Sequence, residues 1–404
     1  MNNEGKTQKV YRVTDFGIRN DSPEEIQTGA IQKVIDLAAS QGGGKIVFPA
    51  GIYRSGSLFF RPGTALHLED AAHLQGSEDM GDYELLPTRI EGETILYFAA
   101  LVNADGVDHF SITGSGIIDG CGLRVWKNFW LRRRWNPDCL NVDEMRPRLV
   151  YVSNSRHVLI AGVHLHNSAY WTCHLYRCRD VELRDLDIFA PAKPVPAPSS
   201  DAIDLDNCFH VRIHHCRMEV NDDAVTLKGG KGPHADTAED DGPNADVLVE
   251  DCFFGYCHSA LTCGSECVDN RDIVMRNCTL DGAEKMFYLK MRPDTPQINR
   301  NISLENISGS CKYIFVAASW AQFPRSREIY HSHAEKITFT HLDLTCQQFF
   351  YVLPDPAEFS LSEILFQSCR ITTQENLDSV VCPEGITLKD VEINGCKNQD
   401  LKRR

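Results

Sequence analysis

The chain has 404 residues, 42% hydrophobic and 24% charged, an ordinary balance for a soluble globular protein with a large core. Its net charge of −15 and the lack of a long basic run argue against nucleic acid as a partner. No apolar run reaches the roughly 18 residues a membrane-spanning helix needs, so no membrane span is predicted.

The N-terminus, Met1-Asn-Asn-Glu-Gly-Lys, carries no apolar stretch of a secretory leader. That predicts a cytoplasmic protein on the sequence as given, or a periplasmic or secreted one if a leader has been removed. Residues 24–40 predict an amphipathic helix, with Ile26, Ala30, Val34 and Leu37 on one face and Gly42-Gly-Gly as its stop. Further on, a short phrase recurs: His157-Val-Leu-Ile, Asp180-Val-Glu-Leu, His210-Val-Arg-Ile, Asp246-Val-Leu-Val, Asp272-Ile-Val-Met, Asn301-Ile-Ser-Leu, Lys336-Ile-Thr-Phe, Glu363-Ile-Leu-Phe and Gly385-Ile-Thr-Leu. Each alternates apolar and polar residues, as a half-buried strand does. The starts lie 22 to 36 residues apart, which is solenoid spacing. Most phrases precede a second short strand, such as Ala224-Val-Thr-Leu or Ala260-Leu-Thr-Cys, leaving no room for the helices of ankyrin or tetratricopeptide units.

Length alone suggests two or three domains, but a repeat overrides that count. The expectation is an all-β protein, a right-handed single-stranded parallel β-helix. One domain would cover residues 1–404, with coils over about 45–395 and residues 24–40 capping the first coil. The sixteen cysteines are scattered, without CxxC pairs, and several sit in strands, where buried thiols act as small hydrophobes. A reducing compartment suits them, and neither a metal site nor a cofactor is predicted.

Acidic residues concentrate in two consecutive coils. Aligning Ile203 with Val225 and Leu205 with Leu227 superimposes Asp201 on Asp223, about 4.8 Å apart on neighbouring strands. Asp222 reaches the same cleft only if the chain bends there, because neighbours in a regular strand face opposite ways. Three crowded carboxylates cannot all ionise cheaply, so one pKa rises. A protonated carboxyl beside carboxylates that hold a water suits inverting glycoside hydrolysis. The plainer alternative is that these acids cap strands or bind a structural cation. His258 falls in the matching segment of the next coil and Lys290 one coil further, with Phe287 and Leu289 directed inward. Lys290 would pair with a uronate carboxylate. Trp126-Lys-Asn-Phe-Trp-Leu-Arg-Arg-Arg-Trp reads as a loop that either meets sugar or packs on the coils. Trp171 and His174, just upstream of Asp201, are further candidates for lining the cleft.

These segments resemble glycoside hydrolase family 28, the polygalacturonase and rhamnogalacturonan hydrolase family, whose four segments read Asn-Thr-Asp, Asp-Asp, Gly-His-Gly and Arg-Ile-Lys. Here they stand as Ser199-Ser200-Asp201, Asp222-Asp223, Cys257-His258-Ser259 and Tyr288-Leu289-Lys290. Asp15-Phe-Gly, Gly42-Gly-Gly-Lys-Ile-Val-Phe-Pro-Ala-Gly-Ile-Tyr and Gly114-Ser-Gly-Ile-Ile-Asp-Gly are similar too. The resemblance implies a pectin-lyase-like fold and inverting hydrolysis of an α-galacturonosidic bond. Asp222 would be the acid, and Asp201 and Asp223 would serve the water. It further implies a galacturonate-containing oligo- or polysaccharide as partner. Tyr288 stands where the family has Arg, which removes a bidentate clamp that Lys cannot replace. Arg292, of the same strand parity, is the expected substitute. A monomer is expected. The insert Gly229 to Asn244 would wall off one end of the groove and favour exo action. Two other functions share this architecture: a calcium-dependent pectate lyase and a non-catalytic glycan-binding β-helix.

Overall fold

The computed structural model describes residues 9–320, 327–353, 355, 357–375, 380 and 382–397; the single domain expected over 1–404 extends past them at both ends. The chain winds in coils whose short strands stack in parallel, making a parallel β-helix. One column of thirteen strands runs from Val10–Arg12 to Ile386–Lys389 and contains every repeated phrase. Its register follows the phrases, with Val181 on Val211, Val211 on Val247 and Val247 on Ile273.

The first residue of each phrase bends the chain. His157, Asp180, His210, Asp246, Asp272, Asn301, Lys336 and Glu363 have φ between 52° and 59°, and Gly385 has 83°. Asp, Asn and His tolerate this left-handed region better than branched residues do, which accounts for the polar start of most phrases. Two further columns complete the wall. One holds Ile117–Asp119, His164–His166, Asp187–Phe189 and Arg217–Glu219. The other holds Val150–Ser153, Cys173–Tyr176, Ile203–Asp206, Asp223–Lys228 and Ser259–Cys263, and forms the floor of the groove described below.

Inward residues of all three columns form one apolar core from Tyr11 to Ile393. Phe287 stacks on Phe315 at 5.8 Å, and Phe339 on Phe366 at 4.1 Å between ring centres. A buried asparagine ladder ties three coils together: Asn244 Nδ2 donates to Asn270 Oδ1 at 3.1 Å, and Asn270 Nδ2 to Asn299 Oδ1 at 2.9 Å. All sixteen cysteines are free thiols, most of them buried.

The N-terminal helix spans Thr28–Ser40, four residues later than predicted. Asp21–Ile26 instead pairs as a strand with Gly51–Ser55, so Ile26 and Ala30 are exposed and the buried face is Ile31, Val34, Ile35 and Ala38. The helix covers the first coil, and Gln32 completes the hydrogen bonding of Phe59 with two bonds of 2.8 Å. A second helix, Leu123–Trp135, stands where a loop was expected. Its polar composition hides it, because only Val125, Trp126 and Phe129 are buried. Trp126 Nε1 donates to the Ser168 carbonyl at 3.0 Å and anchors it to the coils.

Phe339 lies fully buried among Phe287, Phe315 and Phe366. Phe339→Ala should cost about 3–5 kcal/mol of unfolding free energy by urea titration; a loss below about 1 kcal/mol would contradict this packing.

Candidate active site

Along Ile203–Asp206, Ile203 and Leu205 face the core, so Asp204 and Asp206 face outward. The next coil repeats the pattern, with Thr226 beside Asp204 and Lys228 beside Asp206, and the ladder continues through Thr262 to Tyr288. Of these outward residues Lys228 and Tyr288 line a cleft of about 330 Å³, together with Asp201, Asp222 and Asp223. Ile203 pairs with Val225 and Leu205 with Leu227, which is the alignment that superimposes Asp201 on Asp223. Asn221 and Asp222 form the bend between coils, so Asp222 and Asp223 both reach the cleft.

Oxygens of Asp201, Asp222 and Asp223 lie within 4.8 Å of one another. Such a trio is also a set of hard oxygen donors for a divalent cation, but here ammonium and imidazole groups supply the counter-charge. Lys290 Nζ donates to Asp223 Oδ2 at 2.6 Å, and His258 Nδ1 lies 3.3 Å from Asp222 Oδ1. Lys228 Nζ stands 3.7 Å from Asp201, 3.4 Å from Asp204 and 3.4 Å from Glu266, and 4.3 Å from the centre of the Trp171 ring.

Their environments push these groups apart. Burial, reinforced by Asp222 and Asp204, raises Asp201 well above the usual carboxylate range. Burial likewise lifts Asp204 to about 7 against the pull of Lys228. Burial acts on Asp222 in the same sense, but His258 and then Lys290 outweigh it and hold that carboxyl low. Burial lowers His258, yet Asp222 overrides it and the imidazole pKa ends raised. The environment thus pushes Asp201 and Asp204 up and Asp222 down, with the His258 imidazole raised by its Asp222 partner. The three carboxylates also differ in access: the Asp222 side chain is 25% exposed, against 7% for Asp201 and 1% for Asp223.

The cleft also meets a hairpin turn, through Glu91, and the insert, through Lys231. The antiparallel hairpin Leu85–Ile90 and Glu93–Phe98 lies over the floor. Arg89 Nε meets Asp206 at 3.0 Å and its Nη2 meets Asp241 at 2.6 Å, joining the hairpin to the floor and to the insert. At its tip, Gly92 has φ 77°, and a Cβ there would stand 2.8 Å from the Lys231 Cβ. Glu91 accepts from the Tyr170 hydroxyl at 3.0 Å and lies 3.9 Å from Lys231. The insert lines the cleft through Lys231, beside Glu91 of a hairpin that no pattern in the sequence announced. Trp130 and Arg133 of the second helix line the opposite flank. Lys285, Tyr288, Lys290 and Trp320 line the cleft beyond His258, with the Lys290 ammonium 5.0 Å from the Trp320 ring centre.

Asp201, Asp222, Asp223, His258, Lys290, Tyr288 and Trp171 all line this cleft. His174 does not. Its outward parity holds, but the hairpin covers that stretch of floor, so it is fully buried between Arg148 at 2.7 Å and Asp206 at 3.5 Å. Burial pushes its pKa down to about 3, and it serves as an internal strut. Arg292 does not reach the cleft either: its strand ends at Met291, so parity no longer governs it. The guanidinium is buried in a two-pronged pair with Asp294, at 2.8 and 2.9 Å. Lys228, Asp204 and Glu266 went unnoticed in sequence. The first two share the outward parity of the Ile-Asp-Leu-Asp and Val-Thr-Leu-Lys alternation, a signal that was available. Glu266 and Glu91 come from loops and leave no such signal.

The glycosyl hydrolases family 28 model matches residues 82–317, more than half of the chain and the whole of the cleft except Trp320. A probable polygalacturonase of Vitis vinifera is 27% identical over 227 residues, covering 54% of this chain but only 44% of the relative. The chain thus spans less than half the length of that relative. A polygalacturonase of Medicago sativa is 24% identical over 97% of this chain and 82% of its own length. In structure, the chain resembles an exopolygalacturonase from Thermotoga maritima with a TM-score of 0.79 at 20% identity, covering 97% of this chain and 93% of that one. From the family match and the sequence relatives, with the same β-helix beneath them, the chain belongs to glycosyl hydrolases family 28.

Proposed function

We propose that this protein hydrolyses an α-galacturonosidic bond at the end of a pectin-derived oligosaccharide, of homogalacturonan or rhamnogalacturonan type, with inversion. One observation carries the reading: Asp201, Asp222 and Asp223 converge on one cleft with His258 and Lys290 in contact. Asp222 is the general acid, because it alone of the three is exposed enough to meet the glycosidic oxygen. Asp201 and Asp223, nearly buried, hold and activate a water. His258 anchors the Asp222 carboxyl.

The resting charge state explains how the acid is loaded. Lys290 helps to hold Asp222 ionised in the free protein. A substrate uronate that engages Lys290 weakens that influence, and Asp222 can then take the proton that Asp201 holds. Lys285 stands 5.3 Å from the Tyr288 ring centre and supplies the second cation that Arg292 does not. Lys285 and Lys290 together answer the missing clamp, while Tyr288 and Trp320 offer ring faces to the sugar. The hairpin beside the cleft, joined to the insert through Arg89 and Asp241, supports exo action, in keeping with the exopolygalacturonase from Thermotoga maritima that shares the fold.

Asp222→Asn should lower kcat by about 10²–10⁴-fold while circular dichroism and melting stay unchanged; a change of only a few-fold would remove Asp222 from the acid's role. Incubation with galacturonate oligomers of defined length should release one small product of constant size from the first minutes. An early random ladder of sizes would contradict exo action.

A further inference from the structure

Away from the cleft, on the column that holds His164–His166 and Asp187–Phe189, three side chains converge. His164 and His166 are two residues apart on one strand and so share a face. Asp187 is the register partner of His164 on the next coil. His164 Nδ1 lies 3.1 Å and His166 Nε2 2.9 Å from the same oxygen, Asp187 Oδ2. One atom from each residue lies within 4.8 Å of the other two. Donor separations near 3 Å are those of ligands about 2.0–2.2 Å from a common ion and roughly at right angles. Side chains are 41%, 23% and 37% exposed, which leaves the outer side open for water. The neighbouring cation does not compete: Arg217, next in the ladder, turns to Glu219 at 3.0 Å and stacks on Phe253.

We propose that His164, His166 and Asp187 form a binding site for a divalent first-row transition ion. Two imidazoles and one carboxylate select the zinc, nickel and cobalt class over calcium or magnesium, which prefer all-oxygen sets. The ligands belong to two adjacent coils, so the bound ion cross-links them. None of the three residues lines the cleft, so hydrolysis proceeds without the ion.

The test uses untagged, chelator-treated full-length protein titrated with Ni²⁺ by calorimetry and with Co²⁺ by absorption. We expect one saturable site per chain and a Ni²⁺-dependent rise in melting temperature. His166→Gln and Asp187→Asn should each weaken binding at least about tenfold and remove the rise, with metal-free melting and activity close to wild type. His331→Gln, at the exposed pair His331 and His333 whose ring centres lie 4.9 Å apart, should change nothing. Absence of one-to-one binding, or equal binding by the His166 and Asp187 variants, would overturn the proposal. So would a cobalt spectrum dominated by thiolate charge transfer, which would place the ion on a cysteine.

Discussion

Lys228 is the ion on which the site depends. It stands within 3.7 Å of Asp201, Asp204 and Glu266, almost wholly buried, with the Trp171 ring against its ammonium. Several charges so far from water persist only when paired, and removing one partner leaves the others uncompensated. Around Lys228 and Lys290, five acids (Asp201, Asp204, Asp222, Asp223 and Glu266) crowd together, with His258, Lys231 and Lys285 as further cations of the cleft. Burial raises Asp201 and Asp204, while His258 and Lys290 hold the more open Asp222 low. The carboxyl whose pKa is raised in the free protein thus differs from the one proposed as the acid.

The β-helix makes this crowding affordable in structural terms. Coil register sets Asp201 over Asp223 and brings His258 and Lys290 from the following coils, so no flexible segment has to gather them. The interior asparagine ladder and the stacked aromatic rings hold that register from behind. What the coils do not provide is the shape of the cleft. That comes from excursions between strands: the hairpin over 85–98, the helix Leu123–Trp135 and the insert after Lys228.

The same division decides what could be read from residues alone. The repeated phrases carry period-two alternation and, in most, a polar residue at the left-handed corner, so the coils are legible in the residues alone. Asp201, Asp222, Asp223, His258 and Lys290 were visible because they sit at matching places in consecutive coils. His174 was misjudged although its parity was right, since parity cannot announce a hairpin lying on top of it. Arg292 was misjudged because the strand stops one residue short of it. Lys228 and Asp204 were legible through the outward alternation of their strands, whereas Glu91 and Glu266 depend on loop paths that no local pattern encodes. The helix Leu123–Trp135 has too narrow an apolar stripe to stand out from a loop.

The spacing of the carboxylates puts the mechanism to its sharpest test. Their oxygens lie within 4.8 Å, below the roughly 6.5–9.5 Å of many inverting pairs and nearer the roughly 5–5.5 Å of retaining ones. The account favours inversion because Asp201 and Asp223 are too deeply buried to attack an anomeric carbon but can still hold a water. Proton NMR of the first turnovers on an α-linked galacturonate oligomer reads this directly. The account predicts that the newly formed reducing end appears first as the β-anomer and then mutarotates; initial appearance of the α-anomer would contradict it.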